Sequence, residues 1–278
     1  MTNIIRAAYF SPTGTTAKIA TSIADALSLH LPFQYGKIPD TDFTLPEARN
    51  TPLSFAADEL VVFGVPVYAG RVPNILLRHL DTMEGGGALA VPVVVYGNRN
   101  YDDALIELRD ILEKKGLHPL AAAAFIGEHA FSDSLAAKRP DAQDLTLANA
   151  FAARVAEKIQ RTTPGEIPSP LKVNGTPYPY AGYYQPKDKD GNAVDIRKVI
   201  PKIRDNCINC KICASVCPMG SIPLNDVRSY TGICIKCGAC IKGCPENARY
   251  YDDPGYLHHK KELEEIYARR AQPEFFLE

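Results

Sequence analysis

The first 160 residues alternate short runs of apolar, often β-branched residues with longer amphipathic stretches. A short apolar run between turn residues is typical of a buried strand, whereas apolar residues spaced three and four apart are typical of a helix. Five runs are predicted to be strands: residues 3–10, 33–37, 59–65, 89–96 and 120–126. Helices are predicted over residues 15–29, 73–80, 102–115 and 141–160. This alternation predicts an α/β domain with a doubly wound parallel sheet.

The pattern changes over residues 162–196, which are rich in proline, glycine and tyrosine, a composition that excludes regular helix and central strand. Two interpretations stay open: an extended linker of partly polyproline character, or a segment that four tyrosines (Tyr178, Tyr180, Tyr183 and Tyr184) pack between two functional centres. An amphipathic stretch over 256–270 and the apolar residues 275–277 predict a helix and tail that dock onto the body. We therefore expect four parts, with boundaries at 1–161, 162–196, 197–253 and 254–278.

Composition and charge exclude some classes of protein function. With 46% hydrophobic and 23% charged residues the chain can bury a core, so we expect a globular protein. A net charge of -1, from 31 basic and 32 acidic residues, lacks the basic excess on which nucleic-acid binding depends, so no nucleic-acid partner is expected. The start of the chain lacks a signal-peptide pattern, and no apolar run reaches the length of a membrane span. We therefore expect a cytoplasmic protein.

All 8 cysteines lie between Cys207 and Cys244. Disulfides would be spread to connect distant segments, whereas such crowding favours a metal site. The pattern C-x2-C-x2-C-x3-C-P occurs twice, once as Cys207, Cys210, Cys213 and Cys217 and once as Cys234, Cys237, Cys240 and Cys244. Zinc bound by four thiolates is the alternative to iron.

Each cysteine run resembles the bacterial ferredoxin signature, in which the fourth cysteine ligates the other of two clusters. The resemblance implies a small α+β ferredoxin-like domain with two [4Fe-4S] clusters. Cluster one would take the first thiolate set, which is Cys207, Cys210, Cys213 and Cys244. Cluster two would take the second thiolate set, which is Cys234, Cys237, Cys240 and Cys217.

Three further segments follow predicted strands, at the sheet edge where doubly wound folds bind ligands. Ser11, Thr13, Gly14, Thr15 and Thr16 lead into the first helix, and hydroxyls with free amides at a helix N-terminus form an anion site. On its own this segment could equally be a threonine-rich helix cap. The other two segments are Pro66, Val67, Tyr68, Ala69 and Gly70, and Gly97, Asn98, Arg99, Asn100 and Tyr101. Two tyrosines across a cleft favour a flat ring as ligand.

These three segments are similar to the phosphate loop and the two ring-binding loops of flavodoxins, a resemblance that covers about the first 160 residues. It implies a flavodoxin-like five-stranded sheet of order 2-1-3-4-5 with FMN as cofactor. Tyr68 would take the inner aromatic position and Tyr101 the outer one, while backbone groups of 68–70 and 97–101 would bond the ring edge. The whole chain resembles the flavodoxin/ferredoxin fusion proteins of anaerobes.

The segment after the third strand departs from the flavodoxin pattern at Ala69, where flavodoxins often carry glycine. A β-carbon makes a positive φ costlier by about 1 kcal/mol, so we expect weaker stabilisation of the half-reduced flavin. The same loop lacks acidic residues and carries Arg71, which predicts a higher reduction potential.

The resemblance implies an electron-transfer protein that relays electrons between FMN and two [4Fe-4S] clusters, with redox proteins as donor and acceptor. One alternative is an FMN-dependent oxidoreductase that reduces a small organic acceptor such as a quinone; another is a non-redox scaffold that holds zinc. Glu128, His129, Ser132 and Asp133 follow the fifth strand, either as proton-handling groups at the same edge or as an ordinary polar loop. The sequence is also compatible with a homodimer.

Overall fold

The alternating pattern folds into a central sheet with helices on both faces. A computed structural model describes residues 3–32, 34–162, 169–188 and 190–278. Its helices are α1 Thr15–His30, α2 Leu77–Leu80, α3 Ala104–Lys114, α4 Ala142–Arg161, α5 Ile212–Ser215, α6 Ala239–Lys242 and α7 Pro254–Ile266. Its strands are β1 Asn3–Tyr9, β2 Tyr35–Lys37, β3 Thr41–Asp42, β4 Glu59–Pro66, β5 Leu89–Tyr96, β6 His118–Pro119, β7 Ala122–Ile126, β8 Lys202–Ile203, β9 Arg249–Tyr250 and β10 Glu274–Phe276.

The main sheet has the strand order β2-β1-β4-β5-β7-β10. The first five strands of this order are parallel, and β10 joins the edge antiparallel to β7. Short strands β3 and β6 pair with β1 and β5. The predicted α/β fold with a flavodoxin-like parallel sheet is confirmed. Phe33, the first residue of the predicted second strand, lies outside the described residues.

The core forms two layers, one on each face of the sheet. On one face, Ile23 and Leu27 of α1 meet Phe151 of α4 over the central strands. On the other face, Leu80 of α2 and Leu108 of α3 pack against the same strands. Strands β4 and β5 are buried almost throughout, as expected when helices cover both faces of a parallel sheet.

Helix boundaries follow local chemistry. Asp141 caps α4, accepting hydrogen bonds from the amides of Gln143 and Asp144, while the Asp144 side chain bonds back to the Asp141 amide. The predicted helix over 73–80 is shorter, because a 3-10 turn over Asn74–Leu76 precedes α2. No helix of the described residues is both long and apolar enough to cross a membrane.

The cysteine segment, residues 202–250, begins with β8 and ends with β9, and these two strands pair antiparallel. After it, α7 and β10 return to the sheet. The prediction of a helix and docked tail matches this arrangement, although the helix ends at Ile266 and residues 274–276 form a sheet strand. In β10, Phe275 packs against Phe151 and Phe125, with ring centroids 5.0 and 5.4 Å apart.

The strap, residues 169–186, runs along the surface beside α3. Asp103 accepts hydrogen bonds from the amides of Thr176 and Ala181, at 2.8 and 2.7 Å. The Tyr180 hydroxyl donates to Asp110 at 2.8 Å, whereas Tyr178 is 81% exposed. The strap is therefore anchored by hydrogen bonds although most of its residues, including Tyr178 and Tyr183, are exposed; residues 163–168 and 189 of the predicted linker lie outside the described residues.

Candidate functional site

A cavity of about 390 Å³ lies at the carboxyl ends of β1, β4 and β5. Its place is the edge at which doubly wound sheets bind their ligands. Eight predicted residues line it: Ser11, Thr13, Thr15, Thr16, Pro66, Val67, Tyr68 and Gly97. The remaining lining residues are Pro12, Val95, Tyr96, Gly127, Glu128, Ala130 and Cys237.

The loop before α1 is arranged as an anion cradle. Gly14 stands at the N-cap of α1 with φ +80° and has no side chain that could cap the first amides of the helix. The Ser11 hydroxyl accepts from the Ala17 amide at 2.9 Å, and the Ser11 amide donates to Thr44 Oγ1 at 2.8 Å, which fixes the loop. Thr16 is buried, and its hydroxyl has no hydrogen-bond partner within the described parts of the chain. A buried hydroxyl left free beside open amides fits a bound phosphate.

The segment after β4 forms a tight turn with two left-handed residues, Ala69 at φ +51° and Gly70 at φ +80°. Tyr68 and Arg71 exchange backbone hydrogen bonds of 3.0 and 3.1 Å across it. Ala69 thus adopts the positive φ despite its β-carbon. Its carbonyl accepts from the Tyr184 amide of the strap at 2.9 Å, so the strap holds this peptide in place.

The charge of Arg71 is paired away from the cavity. Its guanidinium binds both carboxylate oxygens of Glu107, at 2.8 and 2.7 Å, and packs on the rings of Tyr180 and Tyr183 in the strap. A bidentate pair of this kind is nearly neutral from a distance. The expectation that Arg71 raises the potential of a bound flavin therefore loses its electrostatic basis.

The segment after β5 contributes only Gly97 to the cavity among its predicted residues. Asn98 is buried, and its side-chain amide donates to the carbonyls of Tyr267 and Arg269 at 2.6 Å, fixing the chain after α7. Asn100 accepts from the Asp102 amide. Arg99 pairs with Asp102 and stacks on Tyr184 of the strap.

Tyr101 lies elsewhere than predicted. It is 5% exposed, packs on Tyr96 with ring centroids 5.6 Å apart, and donates to Glu274 of β10 at 2.7 Å. Burial, helped by the neighbouring Glu274 carboxylate, raises the pKa of its hydroxyl. Tyr101 is therefore a core residue tied to the last strand rather than an outer aromatic over the cavity.

The segment 127–133 borders the cavity, to which Tyr101 does not contribute. Glu128 and Ala130 line it, and the Glu128 carboxylate pairs with Lys242 of α6. Lys242 also donates to the Ser132 carbonyl at 2.9 Å and lies 3.7 Å from the Asp133 carboxylate. Desolvation, together with nearby positive groups, lowers the pKa of His129 to about 3, so this ring is neutral. The polar loop thus docks the cysteine segment against the sheet.

The first thiolate set lines one cavity of about 350 Å³ in the cysteine segment. Cys207, Cys210 and Cys213 come from the first run and Cys244 from the second, which is the crossed grouping that the ferredoxin resemblance implies. The Ala248 amide donates to the Cys244 sulfur at 3.3 Å. Apolar neighbours Ile208, Ile212 and Val227 line the same cavity.

Members of the second thiolate set are close enough to affect one another's pKa. Burial is the main cause that raises the pKa of Cys237 and Cys240 to about 12, and the nearby sulfurs of Cys234 and Cys217 act in the same direction. Cys217 of the first run therefore lies close enough to Cys237 and Cys240 of the second run to raise the pKa of both. In the described parts of the chain, no group of three or more His, Cys, Asp or Glu side chains is placed to hold a metal ion directly.

Both runs share a backbone repeat. Left-handed residues recur at the same places after the first cysteine, as Asn209 and Lys211 in one run and Lys236 and Gly238 in the other. Three residues beyond the last cysteine of each run, Gly220 and Asn247 are also left-handed. Such turns point amides inward, toward an anionic group held by the loop.

The two candidate sites meet at Cys237, a member of the second thiolate set that also lines the cavity at the sheet edge. Gly238, next in sequence, packs on the Ala130 backbone. Desolvation, and after it the thiolates of Cys237 and Cys234, raises the pKa of the Tyr68 hydroxyl well above its usual value. This junction could not be predicted from the sequence, because no local pattern links residue 237 with the loops after β1 and β4.

Comparison with known proteins gives one family match. Residues 206–249 match a family model described as a 4Fe-4S dicluster domain. A comparison with curated proteins gives no significant match. The family match supports an iron–sulfur function rather than zinc for the cysteine segment.

Among solved structures, the chain is similar to a flavodoxin from the domain Archaea, with 13% identity over 57% of this chain and 99% of that one and a TM-score of 0.39. The flavodoxin of Streptococcus pneumonia TIGR4 gives 17% identity over 56% and 99%, with a TM-score of 0.38. An oxidised flavodoxin 2 from Bacillus cereus gives 16% over 55% and 98%, with a TM-score of 0.39. The sheet topology and the family match together make this chain a flavodoxin-like α/β fold followed by a 4Fe-4S dicluster segment.

Proposed function

We propose that this protein transfers electrons between an FMN in the cavity at the sheet edge and two [4Fe-4S] clusters in the two thiolate sets. The observation that carries the proposal is that Cys237 lines the cavity together with Tyr68 and the loop before α1. A cluster bound through Cys237 would adjoin a flavin in that cavity without an intervening domain movement. We also propose that the chain is divided into the four parts expected from the sequence, which are residues 1–161, 162–196, 197–253 and 254–278.

The proposed binding residues divide by chemistry. Ser11, Thr13, Gly14, Thr15 and Thr16 would hold the phosphate, and Pro66, Val67, Tyr68 and Gly97 would surround the ring. When bound, FMN exchanges one or two electrons and each cluster exchanges one. The chain's own task is to fix the distance between the groups and to exclude water between them, for which the Lys242–Glu128 pair and the Gly238–Ala130 contact are suited.

The geometry favours a carrier over an enzyme that reduces a small organic molecule. Ala130 and Cys237 line the cavity, so this part of its wall would belong to the docked cysteine segment rather than to a substrate. External redox proteins would then exchange electrons at cluster one, where Cys210 and the neighbouring Ile208 are exposed.

The test is a rapid-mixing experiment on protein loaded with iron, sulfide and FMN under anaerobic conditions. A one-electron donor reduces the clusters, and flavin bleaching is followed at several protein concentrations. We expect a bleaching rate that does not depend on concentration. The control mixes a cluster-free, FMN-loaded Cys→Ser variant with FMN-free, cluster-loaded protein, which reports transfer between molecules. Protein that retains no flavin, or bleaching no faster than in this control, would overturn the proposal.

A further inference from the structure

A buried arginine lines the cavity of the first thiolate set. Arg249 lies in β9, is 3% exposed, and contributes to the cavity wall beside Cys213 and Cys244. A buried guanidinium needs compensating charge, since removing it from water costs several kcal/mol. Its surroundings should therefore include an anion.

The protein supplies no carboxylate for this purpose among the described residues. Arg249 donates to two neutral oxygens, the Tyr230 hydroxyl at 2.6 Å and the Val227 carbonyl at 2.5 Å. Its Nε atom is buried and has no hydrogen-bond partner among the described residues. The guanidinium also interacts with the sulfur of Cys213 in the first thiolate set, and less strongly with that of Cys240 in the second. One N–H, and a positive charge that no carboxylate of the described residues offsets, thus face the cavity and the cysteines around it.

The internal repeat shows that this arginine is specific to one half. Arg249 is the fifth residue after Cys244, and its counterpart, the fifth residue after Cys217, is Ile222. Ile222 is buried in a small apolar cluster against which Cys217 and Cys240 pack. The repeat therefore folds with an apolar side chain at this position, so folding alone does not require the charge.

The second thiolate set has no equivalent arrangement in the described residues. Its buried cation is Lys236, whose ammonium donates to the carbonyls of Arg197 and Cys234, both at 2.6 Å. That ammonium is hydrogen-bonded by the backbone, whereas Arg249 retains a free N–H.

We propose that Arg249 is a positioning residue that sets the reduction potential of cluster one. Its charge and its free N–H stabilise the added electron, since net charge and hydrogen bonds to sulfur are the main protein controls of cluster potential. The one-electron step is the reduction of cluster one by cluster two, which is oxidised in turn. This inference rests on the proposed binding of two clusters, but not on FMN.

The test is a redox titration monitored by electron paramagnetic resonance, on the full chain loaded with iron and sulfide but without FMN. Arg249→Met should lower the reduction equilibrium constant of one cluster at least tenfold, about 59 mV for one electron, with a smaller effect on the other. Arg249→Lys keeps the charge and should shift it less. Tyr230→Phe removes a partner of the guanidinium but no charge, and should leave both potentials nearly unchanged.

Three outcomes would overturn the inference. The first is an unchanged potential of both clusters in Arg249→Met at full iron content, and the second is a shift in Tyr230→Phe as large as that in Arg249→Met. The third is loss of iron from Arg249→Met, Arg249→Gln and Arg249→Lys alike, because Arg249 would then have a purely structural role. If only the methionine variant loses iron, Arg249→Gln is titrated in its place and should show the same shift. A protein that holds clusters but no FMN would refute the proposed function and leave this titration valid.

Discussion

Replacing Gly238 with alanine should push the cysteine segment away from the cavity at the sheet edge. Gly238 follows Cys237 directly, is buried, and has φ +78°. A β-carbon built there would lie 2.6 Å from the carbonyl oxygen of Ala130, which lines the cavity. Since non-bonded carbon and oxygen atoms do not approach so closely, one of the two loops must move.

The internal repeat supplies a matched control. Lys211 follows Cys210 as Gly238 follows Cys237, and it is left-handed at φ +67° with an exposed side chain. A left-handed conformation costs an L-residue about 1–2 kcal/mol, and an extra carbon in a packed contact costs about 1–3 kcal/mol. Gly238→Ala incurs both costs, about 2–5 kcal/mol together. Lys211→Ala adds neither, because a β-carbon is already present there, and should stay within about 0.5 kcal/mol.

The assay combines apparent melting, followed by cluster absorbance, with the rate of flavin bleaching after cluster reduction. At roughly 2 °C or more per kcal/mol, Gly238→Ala should melt at least about 4 °C lower. Its flavin should also bleach more slowly, because the two groups are farther apart. A Gly238→Ala protein that melts and transfers electrons like the unmodified one, or a Lys211→Ala protein that is equally impaired, would refute the packing argument.

Three further changes probe the phosphate loop, a buried histidine and a buried ion pair. Thr16→Val should weaken FMN binding about tenfold in a fluorescence titration. The melting temperature should not fall, because the Thr16 hydroxyl has no hydrogen-bond partner among the described residues. Thr146→Val on the exposed face of α4 is the control, and an unchanged FMN affinity of Thr16→Val would contradict the prediction. Since the pKa of His129 is lowered to about 3, the folded protein keeps this ring neutral while the unfolded chain binds a proton near pH 6.5. The free energy of unfolding should therefore fall as the pH is lowered from 7 to 5, by at most about 1.4 kcal/mol per pH unit. His129→Gln should flatten the profile of melting temperature against pH. Parallel profiles for the variant and the unmodified protein would exclude this role of His129. Arg139→Met leaves the buried Asp144 with only its longer 3.6 Å contact to Arg270 and should cost about 3–5 kcal/mol in urea unfolding. Arg161→Met, at an exposed pair with Glu157, should cost less than about 1 kcal/mol, and equal losses would be inconsistent with burial as the cause.

The features predicted correctly from the sequence depend on neighbours along the chain. Strands β4 and β5 were found because both faces of each are buried, which leaves an unbroken apolar run. The cavity of the first thiolate set gathers cysteines whose spacing within each run is fixed by the loop itself. Such local patterns can be recognised without knowing how distant segments of the chain pack.

The features that the sequence missed depend on distant partners. Tyr101 follows a strand as a ring-binding residue would, but Glu274 of β10 binds its hydroxyl from the far end of the chain. The two phenylalanines of residues 274–276 predict that this segment packs against the body of the protein. The sequence does not indicate that it pairs with β7. Cys237 carries a cluster-ligand pattern, and nothing around it encodes contact with the cavity at the sheet edge.

The two connections of the cysteine segment explain how its distance from the sheet can be fixed. Before it, the strap is hydrogen-bonded to α3 and to Ala69; after it, α7 and β10 return to the sheet, with Asn98 and Glu274 as anchors. A module tied at one end would sample a volume set by its linker, and contact would then be a matter of effective concentration. A module tied at both ends and held by the Lys242–Glu128 pair has little such freedom. Cutting the strap should therefore leave the docked arrangement largely intact, whereas cutting between α7 and β10 releases both the anchor of Tyr101 and the edge strand, and should separate the two halves.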